Sequence, residues 1–337
     1  MDVPEKWTAD QAFPGTFASI VAGGGRCGSA GYRSTALHDG PSVGVTNTNL
    51  SGCIGFAYRP ESFQSESVIE VTDSTGIIFI FMRVNADGSL DVWRGSQTLL
   101  ATKILTSPAG LVSLGIWSFI EFGWTLSTTV GVATLRHNGV QVATASGLNT
   151  VTNFFTNPIL PWTRLKILPT GYIDDIYILN ADGGVPGNTF LGDIHVEARH
   201  AVTDAVAAGT YADFTPSAGL DHGAMVDEIP PDDDTTYNAS SVPGNRDTYR
   251  FPALASLTFG TIYGVQLLLC ARKSDDIATR TIAPTIFNGG LTYDGTAKAI
   301  SSSYRYYWQI YETNPATGLP WTVAQANALD AGIKDVA

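Results

Sequence analysis

The sequence has little charge, and the charge that it has is mostly acidic. Asp, Glu, Lys and Arg make up 15% of the 337 residues, against the ~25% of an ordinary globular domain. Only 19 Lys and Arg stand against 31 Asp and Glu, which gives a net charge of −12. Nucleic acids and anionic membranes both attract basic surfaces. We therefore expect no nucleic-acid partner and no binding to a membrane surface.

Cysteine is also scarce. Cys27, Cys53 and Cys270 lack the spacing of a disulfide framework or of a metal site. We expect all three to be small buried hydrophobic residues. A bridge between Cys27 and Cys53 stays open, because strands could bring the two together.

Long apolar runs are missing as well. No stretch approaches the ~18 consecutive apolar residues of a membrane-spanning helix. The first ten residues, MDVPEKWTAD, do not show the basic-then-apolar profile of a signal peptide. We therefore expect no membrane insertion, and synthesis in the cytoplasm of a host without export by a signal peptide.

Helical periodicity is absent from the first ~180 residues, where short β-forming runs alternate with Gly, Asn and Asp. Residues 77–84, IIFIFMRV, are apolar on both faces of the pleat except at Arg83, which is typical of a strand inside a sandwich. Asp87-Gly88 and Asn138-Gly139 each separate two apolar runs, which predicts two β-hairpins. These patterns predict an all-β sandwich.

The length predicts two domains, because a single core rarely grows beyond ~250–300 residues. We place a first sandwich at 1–182, a linker at 183–194 and a second sandwich at 195–337. The boundary follows a predicted strand at 172–179 and lies in a glycine-rich connection. The expected fold class is all-β, with two antiparallel, jelly-roll-like β-sandwich domains.

One short helix is expected near the C-terminus. Thr322 and Gln325 have the spacing of a capping box. An apolar stripe follows, and Gly332 could end the helix. The stripe contains Val323, Ala326, Leu329 and Ile333.

Asp174 and Asp175 are adjacent carboxylates in the predicted strand 172–179. Neighbours in a strand point to opposite faces, so the two cannot serve as a paired acid and base on one substrate. Hard oxygen ligands suit calcium, which makes the pair a candidate for a calcium site shared with nearby loops. Beyond that ion, no cofactor is expected.

No catalytic residue is predicted, and we do not expect an enzyme. The five histidines lack metal-binding spacing, and no serine lies in a nucleophile elbow. A row of carboxylates would suit a sugar-cleaving enzyme, and the nearest set is Glu66, Glu70 and Asp73. Solvated acids at a strand edge are the preferred explanation for that set.

Aromatic residues crowd the run YRYYWQIY at 304–311. Strand alternation divides its rings between two faces. If one face is exposed, its flat rings suit stacking on sugars; if a second sheet and a neighbouring subunit cover both faces, the rings are core. The candidates for stacking are Tyr304, Tyr306, Tyr307 and Tyr311.

The first domain resembles the concanavalin A-like, laminin-G-like jelly roll. Three segments carry the resemblance: WSFIE at 117–121, LRHNGVQV at 135–142 and YIDDIY at 172–177. In that family, a strand with W-x-x-hydrophobic-E, an N-G hairpin and a closing I-D-D strand recur in this order. The resemblance implies calcium and glycan binding at loop rims, and only Asp174 and Asp175 match such a ligand set.

The whole chain resembles a group of tailed-bacteriophage virion proteins, through motifs at 187–194, 226–237 and 313–322. This resemblance implies a minor tail, tail-fibre or head-surface component on the outside of the particle. We expect a homo-oligomer, with a trimer among the options, that contacts other virion proteins and a host surface glycan. The preferred role is an exposed fibre or tail-tip protein for host attachment with weak glycan recognition. A head decoration or head-fibre protein is the alternative, and a polysaccharide depolymerase is a third.

Overall fold

The computed structural model describes residues 18–21, 24–26, 31–34, 42–44, 50–63, 67–96, 99–151, 161–168, 170–180, 190–205, 209–228, 231–254, 260–275 and 279–337. Their contacts divide the chain into two compact units, Met1–Glu197 and Ala198–Ala337. Residues 190–194, which the sequence assigned to a linker, thus belong to the first unit.

The first unit contains thirteen strands among its described residues. In chain order they are β1 (Ala18–Val21), β2 (Gly31–Ser34), β3 (Ser42–Gly44), β4 (Ser51–Pro60), β5 (Ser67–Thr72), β6 (Ile78–Val84), β7 (Leu90–Ser96), β8 (Leu99–Thr106), β9 (Ser118–Thr125), β10 (Gly131–His137), β11 (Val140–Leu148), β12 (Arg164–Ile167) and β13 (Gly171–Leu179). The predicted turns at Asp87-Gly88 and Asn138-Gly139 join β6 to β7 and β10 to β11, and Gly88, Asn138 and Gly139 all have positive φ.

These strands form two antiparallel sheets. One sheet has the order β1-β2-β13-β4-β9-β10-β11, and the other has the order β3-β12-β5-β6-β7-β8. The strand predicted at 77–84 is β6, which lies inside the second sheet and buries Phe79, Ile80 and Met82 completely. The predicted all-β sandwich is confirmed, with its core between the two sheets.

Trp162 shows how tightly this core is packed. Its indole is fully buried, donates from Nε1 to the Ser51 carbonyl at 3.0 Å and meets Trp124 edge-on at 5.1 Å. Gly52 makes room for it, because a Cβ at Gly52 would lie 2.6 Å from the Trp162 ring. Gly52 of β4 is therefore required for the packing of Trp162.

The second unit is also built from antiparallel strands. They are β14 (Thr203–Asp204), β15 (Thr215–Pro216), β16 (Asn238–Ala239), β17 (Arg246–Arg250), β18 (Val265–Ala271), β19 (Arg280–Asn288), β20 (Leu291–Asp294), β21 (Lys298–Ile300), β22 (Arg305–Tyr311) and β23 (Asp330–Asp335). A six-stranded sheet has the order β14-β17-β23-β19-β20, with β21 also paired to β19. β18 and β22 form a two-stranded ribbon, whose Leu267 packs with Ile286 and Leu329 in the core of this unit.

The predicted C-terminal helix exists but is shorter than expected. α1 (Val323–Asn327) begins at Thr322, and both hydrogen bonds of the capping box with Gln325 are present. The prediction that the helix continues toward Ile333 is wrong. β23 occupies that part of the chain and pairs with β17 on one side and β19 on the other. No helix in the described part of the chain is long and apolar enough to span a bilayer.

Candidate functional site

Asp174 and Asp175 lie where β13 is irregular. Its pairing with β4 shifts between Asp174 and Tyr177, and Asp175 has a φ of 49°. Asp174 Oδ2 accepts a 2.8 Å hydrogen bond from the Arg26 backbone N–H, and Asp175 Oδ2 lies 3.7 Å from Arg26 Nη1. The expectation of opposite faces is wrong, because a bulge interrupts the alternation and both carboxylates reach the same arginine.

Asp175 is also bound to the segment that follows β13. His195 Nδ1 lies 2.9 Å from Asp175 Oδ1, which accepts a 2.8 Å hydrogen bond from the Val196 N–H. Burial favours the neutral carboxyl, but His195 and Val196 outweigh it and hold the pKa of Asp175 below its ordinary value. The buried carboxylate therefore fastens this segment to the sheet.

The calcium expectation stays a prediction. A Ca²⁺ ion bound by Asp174 and Asp175 would have to displace Arg26 and His195 from these carboxylates. In the ranges that the structure describes, no group of three or more His, Cys, Asp or Glu side chains is placed to hold a metal ion.

Glu121 is a buried carboxylate that the sequence did not single out. It is fully buried, accepts a 2.6 Å hydrogen bond from the Tyr177 hydroxyl and a 2.8 Å bond from the Gly192 N–H, and lies 3.4 Å from Arg136. Burial and the bond to Glu121 raise the pKa of Tyr177. The available signal was an acid within an apolar strand, WSFIEFGW, because such an acid needs buried partners.

Residues 190–194 cover this part of the sheet. Phe190, Leu191 and Ile194 pack on a buried group formed by Cys53, Ala57, Phe119 and Tyr177. Cys53 is a free thiol, and burial raises its pKa to about 12, so it is not a reactive thiolate at neutral pH. Cys27 lies outside the described residues, and Cys270 is only partly buried, so the expectation of a buried side chain is wrong there. Residues 190–194 therefore shield Cys53 and Tyr177 from solvent.

The described acids of the set Glu66, Glu70 and Asp73 form hydrogen bonds or ion pairs with neighbouring residues. Glu70 accepts a 2.7 Å hydrogen bond from Ser67 and lies 3.4 Å from Lys166. Asp73 Oδ1 accepts hydrogen bonds from Thr75 and from the backbone of Ile77. The expectation of solvated acids is wrong for Glu70 and Asp73, since both are buried. Glu66 lies outside the described residues.

Tyr307 and Tyr311 lie on the inner face of β22. The Tyr311 hydroxyl donates to the Pro284 carbonyl at 3.3 Å, and the Tyr307 hydroxyl accepts from the Ser301 N–H at 3.0 Å. Burial raises the pKa of Tyr311 to about 12. These two candidates join the ribbon to the rest of its unit.

Tyr304 precedes β22 and is held by an acidic loop. Its hydroxyl donates to the Asp233 carbonyl at 3.0 Å and to Asp234 Oδ1 at 2.9 Å. Arg272 lies over the ring at 5.2 Å and pairs with Asp234 at 2.7 Å. Asp233 and Asp234 of this loop therefore hold Tyr304 and Arg272 in place.

The outer face of the ribbon presents an exposed aromatic ring. Tyr306, Trp308 and Ile310 alternate with the inner residues, and Trp308 lies opposite Leu268 on β18. Trp308 is 43% exposed and Ile310 is 45% exposed. Lys298 Nζ lies 5.8 Å from the centre of the Trp308 ring. Trp308 is therefore the most exposed aromatic ring of this strand, while Tyr306 on the same face is partly exposed.

A buried His–Asp pair lies in the second unit. His222 Nδ1 lies 2.9 Å from Asp247 Oδ2, and the Tyr249 hydroxyl donates to the same oxygen at 3.2 Å. Burial raises the pKa of Asp247 despite the hydrogen bond from His222. Asn238 donates to both Tyr249 and the His222 carbonyl, so the network holds the 221–226 turn against β17. No sequence pattern marked His222.

No protein-family model and no curated protein matches the sequence. Matching solved structures include the native heptameric SAP-like pentraxin from Limulus polyphemus, with a TM-score of 0.31 and 13% identity over 43% of this chain and 73% of that chain. The CBM40 of Ruminococcus gnavus IT-sialidase, bound to α2,3 sialyllactose, matches with a TM-score of 0.33 and 13% identity over 47% of this chain and 92% of that chain. Galectin-Ib from Xenopus laevis matches with a TM-score of 0.29 and 11% identity over 41% of this chain and 98% of that chain.

Each of these matches covers less than half of this chain. The expectation of a virion protein therefore stays a prediction. The fold assignment rests on the sheets themselves, which make this an all-β chain with a jelly-roll-like first unit.

Proposed function

We propose that the protein is a structural component on the exterior of a tailed-phage virion, a fibre or tail-tip protein that attaches to the host by weak binding of a surface glycan. The motifs at 187–194, 226–237 and 313–322 support the virion role, and Trp308 supports the glycan role. The proposed activity is binding and assembly without catalysis.

The exposed Trp308 indole is the observation on which glycan binding rests. A flat ring that is 43% exposed suits packing against the apolar face of a sugar. Because Trp308 lies in a strand that is paired along its length with β18, its backbone is already ordered before binding. The Lys298 ammonium beside the ring adds a donor for sugar oxygens.

Glycan binding is tested by screening the protein on an array of host surface polysaccharides. We expect retention on at least one polysaccharide, and loss of that retention in Trp308→Ala. Tyr237→Ala is the matched control, because Tyr237 is 41% exposed in the same unit. A blank array, or equal losses of retention in both variants, would reject the glycan role. Release of reducing ends from a bound polysaccharide would show that the protein is a depolymerase.

The virion role is tested by immunogold electron microscopy of purified particles. Label at the tail tip or on fibres is the expected result, and particles without label would reject the role. Label on the capsid would favour the head decoration alternative, in which the exposed Ile310 and its neighbour Trp308 contact another virion protein or a second copy. Light scattering on the purified protein measures the proposed homo-oligomer, including a trimer.

A further inference from the structure

Four side chains form a ladder across the seven-stranded sheet, on neighbouring strands. Tyr172 of β13 lies opposite Arg33 of β2 on one side and Arg59 of β4 on the other. The Arg59 guanidinium lies 4.0 Å from the centre of the Tyr172 ring and 5.1 Å from that of Trp117, which immediately precedes β9. The Arg33 guanidinium lies 5.5 Å from the Tyr172 ring. Cations and rings thus alternate along one line.

The ladder lies on the outer side of the sheet. Tyr58 and Ile173, the strand neighbours of Arg59 and Tyr172, are buried in the core between the sheets. Residues 190–194 cover another part of this outer side, around Tyr177. All four ladder side chains remain partly exposed to solvent.

Arg59 has a hydrogen-bonding capacity that the described residues leave unused. Arg33 donates two hydrogen bonds to Glu61, at 3.0 and 3.1 Å. Arg59 contacts the two rings and pairs with no carboxylate within the described ranges. Stacking engages the flat faces of a guanidinium, while its five N–H donors point outward in the plane.

An apolar rim lies beside the ladder. Leu114 and Ile116, in the turn before Trp117, are 51% and 60% exposed. The Gly115 N–H donates to the Pro60 carbonyl at 2.8 Å, which holds this turn at the end of β4 next to Arg59. Apolar surface and a free guanidinium therefore occur side by side.

We propose that Arg33, Tyr172, Arg59 and Trp117 form a binding site for an acidic saccharide. The Arg59 guanidinium pairs with the carboxylate of a uronic acid, and the sugar ring packs on Trp117 and the adjacent apolar rim. A nucleic acid is a poorer fit, because Glu61 already neutralises Arg33 and the chain as a whole is acidic. The site lies in the first unit and Trp308 belongs to the second, so the proposal does not depend on glycan binding at the ribbon.

Affinity electrophoresis in native gels containing polygalacturonate tests this site. We expect polygalacturonate to retard the protein and neutral dextran to leave it unretarded. Arg59→Gln should weaken the binding about tenfold or more, as expected for loss of a hydrogen bond between charged groups. Arg164→Gln is the matched control, because Arg164 is also a partly exposed strand arginine but lies on β12 of the other sheet.

A second variant separates binding from folding. Arg59→Lys keeps the charge but loses the planar fork, so it should bind more weakly than the wild type and more tightly than Arg59→Gln. Tyr237→Ala removes an exposed ring from the second unit and should bind polygalacturonate like the wild type. The proposal would be overturned if polygalacturonate did not retard the wild type, or if Arg164→Gln weakened binding as much as Arg59→Gln. It would also be overturned if a single-stranded DNA oligonucleotide bound with the same dependence on Arg59.

Discussion

The Tyr177 hydroxyl donates a 2.6 Å hydrogen bond to Glu121 Oε1 across Gly55, the residue that lies between them in the sheet. Because Gly55 has no side chain, the Tyr177 ring can lie directly over β4. The same carboxylate oxygen accepts from Gly192, which brings residues 190–194 onto the sheet. One buried pair thus links two strands of the first unit to the segment that covers them.

Gly55→Ala should destabilise the first unit. The new Cβ would overlap the Tyr177 ring, and displacing that ring breaks its hydrogen bond with Glu121. We expect a loss of about 1–3 kcal/mol, the usual cost of overpacking. Urea unfolding followed by tryptophan fluorescence measures the change. Gly264→Ala is the control, since its Cβ would lie 3.6 Å from the nearest atom, and an equal loss there would contradict the explanation.

Tyr177→Phe should also be destabilising, although it adds no atoms. The buried Glu121 carboxylate loses one of its hydrogen-bond donors, which costs about 1–3 kcal/mol. Hydrogen exchange of the Gly192 amide should become faster, because its acceptor is less well fixed. Tyr58→Phe is the comparison, since the Tyr58 hydroxyl donates only to a neutral carbonyl, that of Thr170, at 3.1 Å. A smaller loss for Tyr177→Phe than for Tyr58→Phe would count against the buried pair.

Gly332→Ala tests the β-strand found where the sequence predicted the end of a helix. A Cβ at Gly332 would overlap the Asp247 carbonyl, so β23 could not pair with β17. The free energy of unfolding of the second unit should fall by at least about 3 kcal/mol. Calorimetry measures this loss. Gly318→Ala, which meets no atom within 4 Å, should cost only the ~1–2 kcal/mol of a left-handed residue. If Gly332→Ala and Gly318→Ala cost the same free energy of unfolding, the prediction of a helix at residues 330–333 would be favoured again.

Asp294 should make stability depend on acid pH. Burial opposes its ionisation, but hydrogen bonds from Arg246, Lys334 and Thr285 lower its pKa from 3.8 to about 2. Since the folded pKa lies below the unfolded one, the ionised carboxylate stabilises the fold above about pH 4, and this contribution is lost as the pH falls toward 2.

Asp294→Asn should therefore cost on the order of 1–2 kcal/mol at pH 7, allowing for partial exposure of the carboxylate. The difference from the wild type should shrink as the pH falls, and denaturant titrations between pH 7 and pH 2 measure it. Asp227→Asn, which changes an exposed carboxylate, is the control and should cost far less stability at pH 7. A difference that stayed constant down to pH 2 would contradict the ionic contribution of Asp294.

Several strands of the first unit could be predicted because their signals are local. Apolar alternation and two turn dipeptides are enough to place β6, β7, β10 and β11. β19 gave no comparable signal, since Pro284 lies within it and proline argues against an inner strand. The sheet accommodates this proline because β20 pairs with β19 after Pro284 and β21 pairs before it. Such an arrangement depends on partner strands that are distant in the chain.

The candidate residues show the same division. Alternation correctly separated Tyr307 and Tyr311 from Tyr306 and Trp308, because the pleat has a period of two wherever a strand is regular. At Asp174 and Asp175 the same rule failed, because the bulge opposite β4 turned both toward Arg26. The importance of Glu121 was not visible until Tyr177 and Gly192 were brought to it.

The sequence by itself determined the all-β class, the hairpin turns and the capping box of α1, since each depends on residues a few positions apart. Tertiary structure decided that Asp330–Asp335 extends as β23, that two adjacent aspartates share one arginine, and that Arg59 lies between two rings. These features depend on pairing between strands far apart in sequence. There, the hydrogen bonds and burial supplied by a partner strand outweigh local preference.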